Sequence, residues 1–213
     1  MTVISTANNT SALVAELGGQ APQAVDYMIG IGLVKDSDAV FFQYVGDDEK
    51  QALMEPSGRP CTRIGQVFLT DISIIDNVYE EAGFSGSKLN VFLQTQSGVS
   101  LMLTSGLSTI WSQCLLTALV ELQMTGSLDH LITIDTWKGT SKMRPCFAAV
   151  RDGAIKVSNN ETYEALKKAR ANKDRALVDT LMRDAVENIA AALSMSSPEV
   201  VEVTEEIDEA VQF

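Results

Sequence analysis

The order of elements between residues 62 and 150 constrains this chain more than any other feature. Three strand-like segments come first, then one helical segment, then two more strand-like segments. Residues 88–96 alternate, with Leu89, Val91 and Leu93 on one side and Lys88, Asn90, Phe92 and Gln94 on the other. Successive side chains of a strand point to opposite faces, so this pattern predicts a half-buried strand. Ser97-Gly98 turns into residues 99–104, which alternate again, and the pair reads as a hairpin. Residues 62–75 are long for one strand, and Gly65 marks a bulge or a sharp bend within them. Leu107, Trp111, Cys114, Leu115, Ala118 and Leu122 recur instead at three- and four-residue steps, which predicts a helix with one broad apolar face, stopped at Gly126. Residues 131–137 and 143–150 are the last two strands, and Asp152-Gly153 closes the run. Other small β-barrels, or a curved sheet carrying one helix, share this order.

The flanks are less regular. Residues 39–45 are aromatic and β-branched and read as a strand, ended by the acidic turn Gly46-Asp47-Asp48-Glu49. Residues 22–34 are apolar but broken by Gly30 and Gly32, and the pattern assigns them no element. The loop Pro56-Ser57-Gly58-Arg59-Pro60 is the best boundary. Residues 1–60 are therefore an N-terminal extension, either a unit of their own or extra strands on the following domain of residues 61–157. Ser158-Asn159-Asn160-Glu161 has the form of a capping box and predicts one helix over 161–194 within a C-terminal segment of 158–197. Leu177, Leu181, Ala185, Ile189 and Leu193 give that helix an apolar stripe, while Glu164–Lys168 and Asp179–Arg183 are pairs in the supportive direction. The stripe serves either a homo-oligomer contact or packing within one chain. Residues 198–213 carry six acids and no base and end on Phe213, a composition that predicts disorder.

The formal net charge is −12. Its placement matters more than its size, because residues 55–157 hold 8 bases against 9 acids and can still offer a basic groove. A hydrophobic share of 46% suffices for a core. No apolar run has membrane-spanning length and the N-terminus lacks a basic signal start, so a cytoplasmic protein without a membrane is expected. Cys61, Cys114 and Cys146 are unevenly spaced and suit free thiols in a reducing compartment. No Cys-x-x-Cys occurs and His130 has no second histidine, so neither a metal nor another cofactor is expected. With no phosphate-cradling Gly-rich motif and no Gly-x-Ser-x-Gly elbow, the chain reads as non-enzymatic.

The strand and helix order, followed by an acidic tip closing on Phe213, resembles single-stranded DNA-binding proteins. The order alone is that of the oligonucleotide/oligosaccharide-binding (OB) fold. The resemblance covers residues 62–152 and the tail, and implies a mainly β protein with α (α+β). Its parts would be a five-stranded OB-fold-like barrel with one inter-strand helix, a C-terminal helix and a disordered acidic tail. It also implies single-stranded DNA as ligand, and a tip that recruits DNA-processing proteins of replication, recombination or repair. Asp208, Glu209 and Phe213 are the candidate partner-binding residues. In this chain Ala210-Val211-Gln212 separates the last acid from Phe213, whereas family tips crowd acids against the aromatic end.

The candidate DNA contacts centre on residues 137–145. Trp137 suits base stacking, and Lys138, Lys142 and Arg144 suit phosphates, the combination by which single strands are held. Trp137 packing at a barrel rim, with the charges merely solvated, is the competing reading. Phe92, among the polar residues Lys88, Asn90 and Gln94, is a second candidate platform with Lys88 as a further cation, or else a packing residue. Arg63 reaches the same groove only if strands one and four are neighbours. Met102 and Trp111 read as packing, and His130 as incidental. An acidic interaction module or DNA-mimic inhibitor that binds no nucleic acid is the alternative function, and RNA the alternative ligand, since stacking does not read the sugar.

Overall fold

A computed structural model describes residues 25–35, 37–45, 49–76 and 86–196, and all structural statements concern these. The protein is a mixed α+β structure, mostly sheet, with three helices. Its strands are β1 (Tyr27–Ile31), β2 (Phe41–Val45), β3 (Glu49–Ala52), β4 (Arg63–Ile75), β5 (Lys88–Thr95), β6 (Ser100–Gly106), β7 (Ile132–Lys138), β8 (Cys146–Asp152) and β9 (Ile155–Val157). Helix α1 spans Ile110–Met124, α2 Asn160–Ala171 and α3 Arg175–Ser196.

All nine strands form one open sheet in the order β3-β2-β1-β6-β5-β4-β7-β8-β9. The expected five-stranded barrel is thus replaced by a nine-stranded open sheet, because the edge of β6 pairs with β1 and the edge of β8 with β9. The outer edge of β6 is taken by β1, paired in parallel with Tyr27 opposite Leu101 and Gly30 opposite Thr104. The other described neighbours are antiparallel. Residues 27–52, left partly unassigned by the sequence pattern, therefore supply three strands of the same sheet.

Strand β4 is the hinge of this architecture. Arg63, Ile64 and Val67 pair with β7, while Val67 to Ile75 pair with β5, and the register shifts between Ile64 and Val67. Gly65 falls inside that shift, as expected, but the left-handed residue is Gln66, with φ of 56°. An extra residue on one strand bends it, so β4 serves a different neighbour at each end.

Leu89, Val91, Leu93, Leu103, Ile132, Ile134 and Val150 form the inner face of the sheet, and α1 lies against it through Trp111, Leu115 and Leu119. Trp111, 1% exposed, donates its indole N–H to Thr136 Oγ1 at 3.2 Å, so its polar handle is satisfied in the core. Thr109 caps α1, accepting from Ser112 N. At the other end Gly126 has φ of 69°, and Ser127 N donates to Leu122 O at 2.7 Å, a glycine stop as the sequence suggests.

The predicted single C-terminal helix is two. Asn172 closes α2, Lys173 has φ of 58°, and Asp174 N donates to Ala169 O at 2.9 Å before α3 begins. No Gly or Pro announces this break. Asn159 rather than Ser158 is the cap, accepting from Thr162 N at 2.8 Å. Glu164 pairs with Lys167 at 3.1 Å, not with Lys168, whereas the Asp179–Arg183 pair forms at 2.7 Å. Helix α3 packs on α1 and β4 within the chain, burying Val178, Met182 and Ile189. Arg183 also reaches Asp76 at 2.6 Å, and Ser87 donates to the same carboxylate. Those two hydrogen bonds hold the Asp76 carboxyl at about 2, below its ordinary 3.8.

Candidate nucleic-acid interface

The β7–β8 hairpin carries the most function-like surface. Along β7, Ile134 and Thr136 point inward, so Asp135 and Trp137 point outward, and in β8 the buried Ala148 leaves its neighbour Phe147 on the outer side. The ladder sets Trp137 directly opposite Phe147. Their rings stack with centroids 5.8 Å apart and planes 14° apart, and Trp137 remains 43% exposed. The pair is an aromatic shelf open to solvent.

The loop beneath it is built to hold Phe147. Gly139 N donates to Pro145 O at 2.8 Å and Arg144 N to Ser141 O at 2.8 Å, which fixes the turn. A Cβ on Gly139 would lie 2.8 Å from Phe147 Cε2 and 3.3 Å from the Pro145 ring, so the shelf rests on bare backbone. Trp137, Thr140, Ser141 and Phe147 border a shallow depression here.

The three expected phosphate ligands are placed unequally. Lys142 is exposed at the loop tip and has no ion pair among the described residues. Lys138 turns back and donates to Ser37 O at 2.6 Å, and Arg144 donates to Asp38 Oδ1 at 3.1 Å. Both cations thus meet the connection between β1 and β2 and line a second depression with it. The Arg144–Asp38 pair is exposed on both sides, and such pairs contribute only about 0–1 kcal/mol. A phosphate can replace it at little cost.

Arg63 does lie on the neighbouring strand. It sits opposite Asp135 and bonds it at 2.6 Å, while Arg151 Nε bonds the other oxygen at 2.9 Å. Burial pushes the Asp135 carboxyl up, but the hydrogen bonds from Arg63 and Arg151 outweigh it and leave the group below its usual range. This Arg–Asp–Arg bridge borders the shelf two residues from Trp137, on the same face of β7.

Phe92 and Lys88 are not part of the shelf. Both are on β5, separated from β7 by β4. Phe92 is half-buried, in register with Met102 and close to Val25, Thr70 and Leu101. Lys88 starts β5 opposite Ile75 and Gly106, next to Ser87 in the Arg183–Asp76 cluster. The tail candidates Asp208, Glu209 and Phe213 lie outside the described residues.

Phe147 is the site residue that sequence reasoning missed. A signal existed: an antiparallel hairpin centred on Lys142 puts residue 147 opposite 137. Ser37 and Asp38 had no such signal, being about a hundred residues from their partners. His130, taken as incidental, bonds Asp152 at 2.8 Å, and that hydrogen bond raises its pKa. Cys61, Cys114 and Cys146 are free and half-buried; burial raises the thiol pKa of Cys114 and Cys146. Among the described residues no group of three or more His, Cys, Asp or Glu is placed to hold a metal, and no helix is long and apolar enough to cross a membrane. Comparisons with family models, with curated proteins and with solved structures gave no match.

Proposed function

We propose that this protein binds single-stranded DNA on the outer face of the β7–β8 hairpin. The observation that carries the reading is the exposed Trp137 ring stacked on Phe147 beside a loop bearing Lys138, Lys142 and Arg144. A base laid on such a platform contributes roughly 1–3 kcal/mol, while cations at its rim neutralise phosphates. The order β6-β5-β4-β7-β8, with α1 between β6 and β7, supports an OB-like centre extended by β1–β3 and β9. In this reading Phe92 is a packing residue, and the acidic tail with Asp208, Glu209 and Phe213 recruits DNA-processing proteins.

One observation favours a second reading, an acidic interaction module without nucleic acid: Lys138 and Arg144 already have internal partners. Oligothymidylate titration of the full chain separates the two. Trp111 is buried, so quenching of tryptophan emission reports on Trp137. Three phosphate contacts on a single strand predict an affinity falling roughly twentyfold between about 50 and about 200 mM salt. Trp137→Ala, which lacks the reporter ring and is followed by anisotropy of a labelled oligothymidylate, should weaken binding by about 5- to 150-fold without changing that salt slope. Absence of salt-sensitive quenching in both the full chain and a chain ending at residue 197 refutes DNA binding. An oligouridylate arm tests whether the sugar is read.

A further inference from the structure

A nucleotide held at the β7–β8 surface has three parts to place: the ring of its base, its sugar–phosphate, and the free edge of the base. The Trp137–Phe147 shelf takes the ring, and Lys138, Lys142 and Arg144 stand at the loop end of β7. The Arg63–Asp135–Arg151 bridge lies on the other side of the shelf. It shares the face of Trp137 two residues back along β7, about 7 Å away by strand rise. A base whose phosphate is drawn to the loop cations therefore presents its far edge to the bridge.

The bridge holds one donor fork in place. Arg63 spends Nε on Asp135 Oδ1 at 2.6 Å, and neither of its terminal nitrogens has a hydrogen-bond partner among the described residues. Its side chain is 62% exposed, so the fork is open to a ligand. Asp135 is itself tied down, because Arg151 Nε holds the other oxygen at 2.9 Å and the carboxylate is only 20% exposed. The second arginine is less available, since Arg151 Nη1 faces Ala154 O at 3.5 Å. The backbone under Arg63 is fixed as well: Arg63 pairs with Asp135 in the ladder, and Thr136 N donates to Thr62 O at 2.8 Å. Arg63 is thus a planar fork at a set position rather than a loose surface cation.

Such a fork suits either a phosphate or the edge of a base, and the carboxylate decides between them. The three groups of the bridge share one net positive charge, and Asp135 repels a phosphate while leaving a neutral base unopposed. Phosphates also have the loop cations on the far side of the shelf. Among the bases only guanine offers two adjacent acceptors, O6 and N7, whereas adenine sets a donor beside N7, thymine a methyl beside O4, and cytosine a donor. We propose that Arg63 is a specificity-determining residue of this surface, donating from its two terminal nitrogens to O6 and N7 of a guanine stacked on Trp137, with Asp135 as its positioning residue. This rests on the single-stranded DNA reading above and adds a base preference to it.

Anisotropy of short labelled oligothymidylates, with the central base kept or replaced by adenine, guanine or 7-deazaguanine, tests this on the full chain. Guanine should bind about 5- to 150-fold more tightly than adenine, the discrimination of one bidentate pair. 7-Deazaguanine carries C–H in place of N7 and should lose most of that gain. Arg63→Lys keeps the charge but not the fork, so it should abolish the guanine gain and leave oligothymidylate affinity within about twofold. Asp135→Asn adds a positive charge and loosens Arg63, so it should reduce the guanine gain while strengthening oligothymidylate binding at low salt. Thymidylate binding with no guanine gain in the unaltered chain, an equal gain with 7-deazaguanine, or a gain kept by Arg63→Lys would overturn the assignment and leave DNA binding standing. Weakening of every oligonucleotide alike by Arg63→Lys would make Arg63 a phosphate ligand and overturn it too. Binding of no oligonucleotide at all refutes the DNA reading, and the assignment with it.

Discussion

Gly30→Ala tests how the N-terminal strands are attached to the sheet. Gly30 pairs with Phe42 across β1 and β2, and a Cβ built on it falls within the Phe42 ring, against Cε2 and Cζ. The ring has little freedom to yield. It is 3% exposed, packed with Val34, Ala39 and Ala52, set edge-on to Tyr44 at 5.2 Å and covered by Lys50 Nζ at 4.6 Å. Moving it out forfeits the burial of a phenylalanine, about 1.5–3 kcal/mol, and an aromatic pair of about 0.5–1.5 kcal/mol. Replacing glycine stiffens the unfolded chain and returns about 0.4–1 kcal/mol. The net expectation is a loss of about 1–4 kcal/mol, or a Tm lower by roughly 2–16 °C for a chain of this size. Phe42→Leu removes the very atoms that clash, at its own cost of about 1–2 kcal/mol for a smaller side chain. The double variant should then be about as stable as Phe42→Leu alone, a coupling of about 1–4 kcal/mol. Thermal and urea unfolding of the four proteins measures this. Additive losses would refute the claim that Gly30 is required by the Phe42 ring.

Three further outcomes follow from the geometry. Gly139→Ala should push Phe147 from its seat and cost about 1–3 kcal/mol of stability, with a shift in Trp137 emission as the readout that ties the loop to the shelf. Asp38→Asn removes the carboxylate that holds Arg144 and should strengthen oligothymidylate binding a fewfold at low salt with little change in Tm; weaker binding would count against Arg144 as a phosphate ligand. Asp76 titrates at about 2 rather than at its ordinary 3.8, so the unfolded chain binds the proton more readily. Its contribution to stability is present above about 4 and disappears as pH falls through about 2. Arg183→Met should return the carboxyl toward its ordinary value and move acid unfolding to higher pH; an unchanged NMR titration of Asp76 would refute the pairing.

Much of the central sheet is legible in the sequence because a strand advertises itself locally. Leu89, Val91 and Leu93 alternate against polar neighbours, and β4 to β8 follow within a residue or three of where the pattern puts them. The bulge near Gly65 is legible too, since glycine inside a strand pattern signals a break in pairing. The strands that escaped notice lack that signal for identifiable reasons. Tyr27–Ile31 has Gly30 because the Phe42 ring covers it, a cause some twelve residues away. Glu49–Ala52 is polar and exposed; it is a strand through its backbone ladder to β2 alone. The α2–α3 break escaped because Lys173 occupies a left-handed position that sequence rules reserve for glycine.

The amino-acid order on its own settled the alternating faces, the helix between the third and fourth central strands, and the cluster of an aromatic with three cations in the β7–β8 region. These depend on residues two to four positions apart, where chain geometry leaves few choices. Tertiary structure alone decided that nine strands share one sheet, that Phe147 lies under Trp137, and that Lys138 and Arg144 turn toward Ser37 and Asp38. It alone gathered Gln113, Arg170, Lys173 and Arg175 around one cleft. Such contacts join segments tens of residues apart, and their partners are selected by how the sheet bends and the helices pack, which no local periodicity encodes.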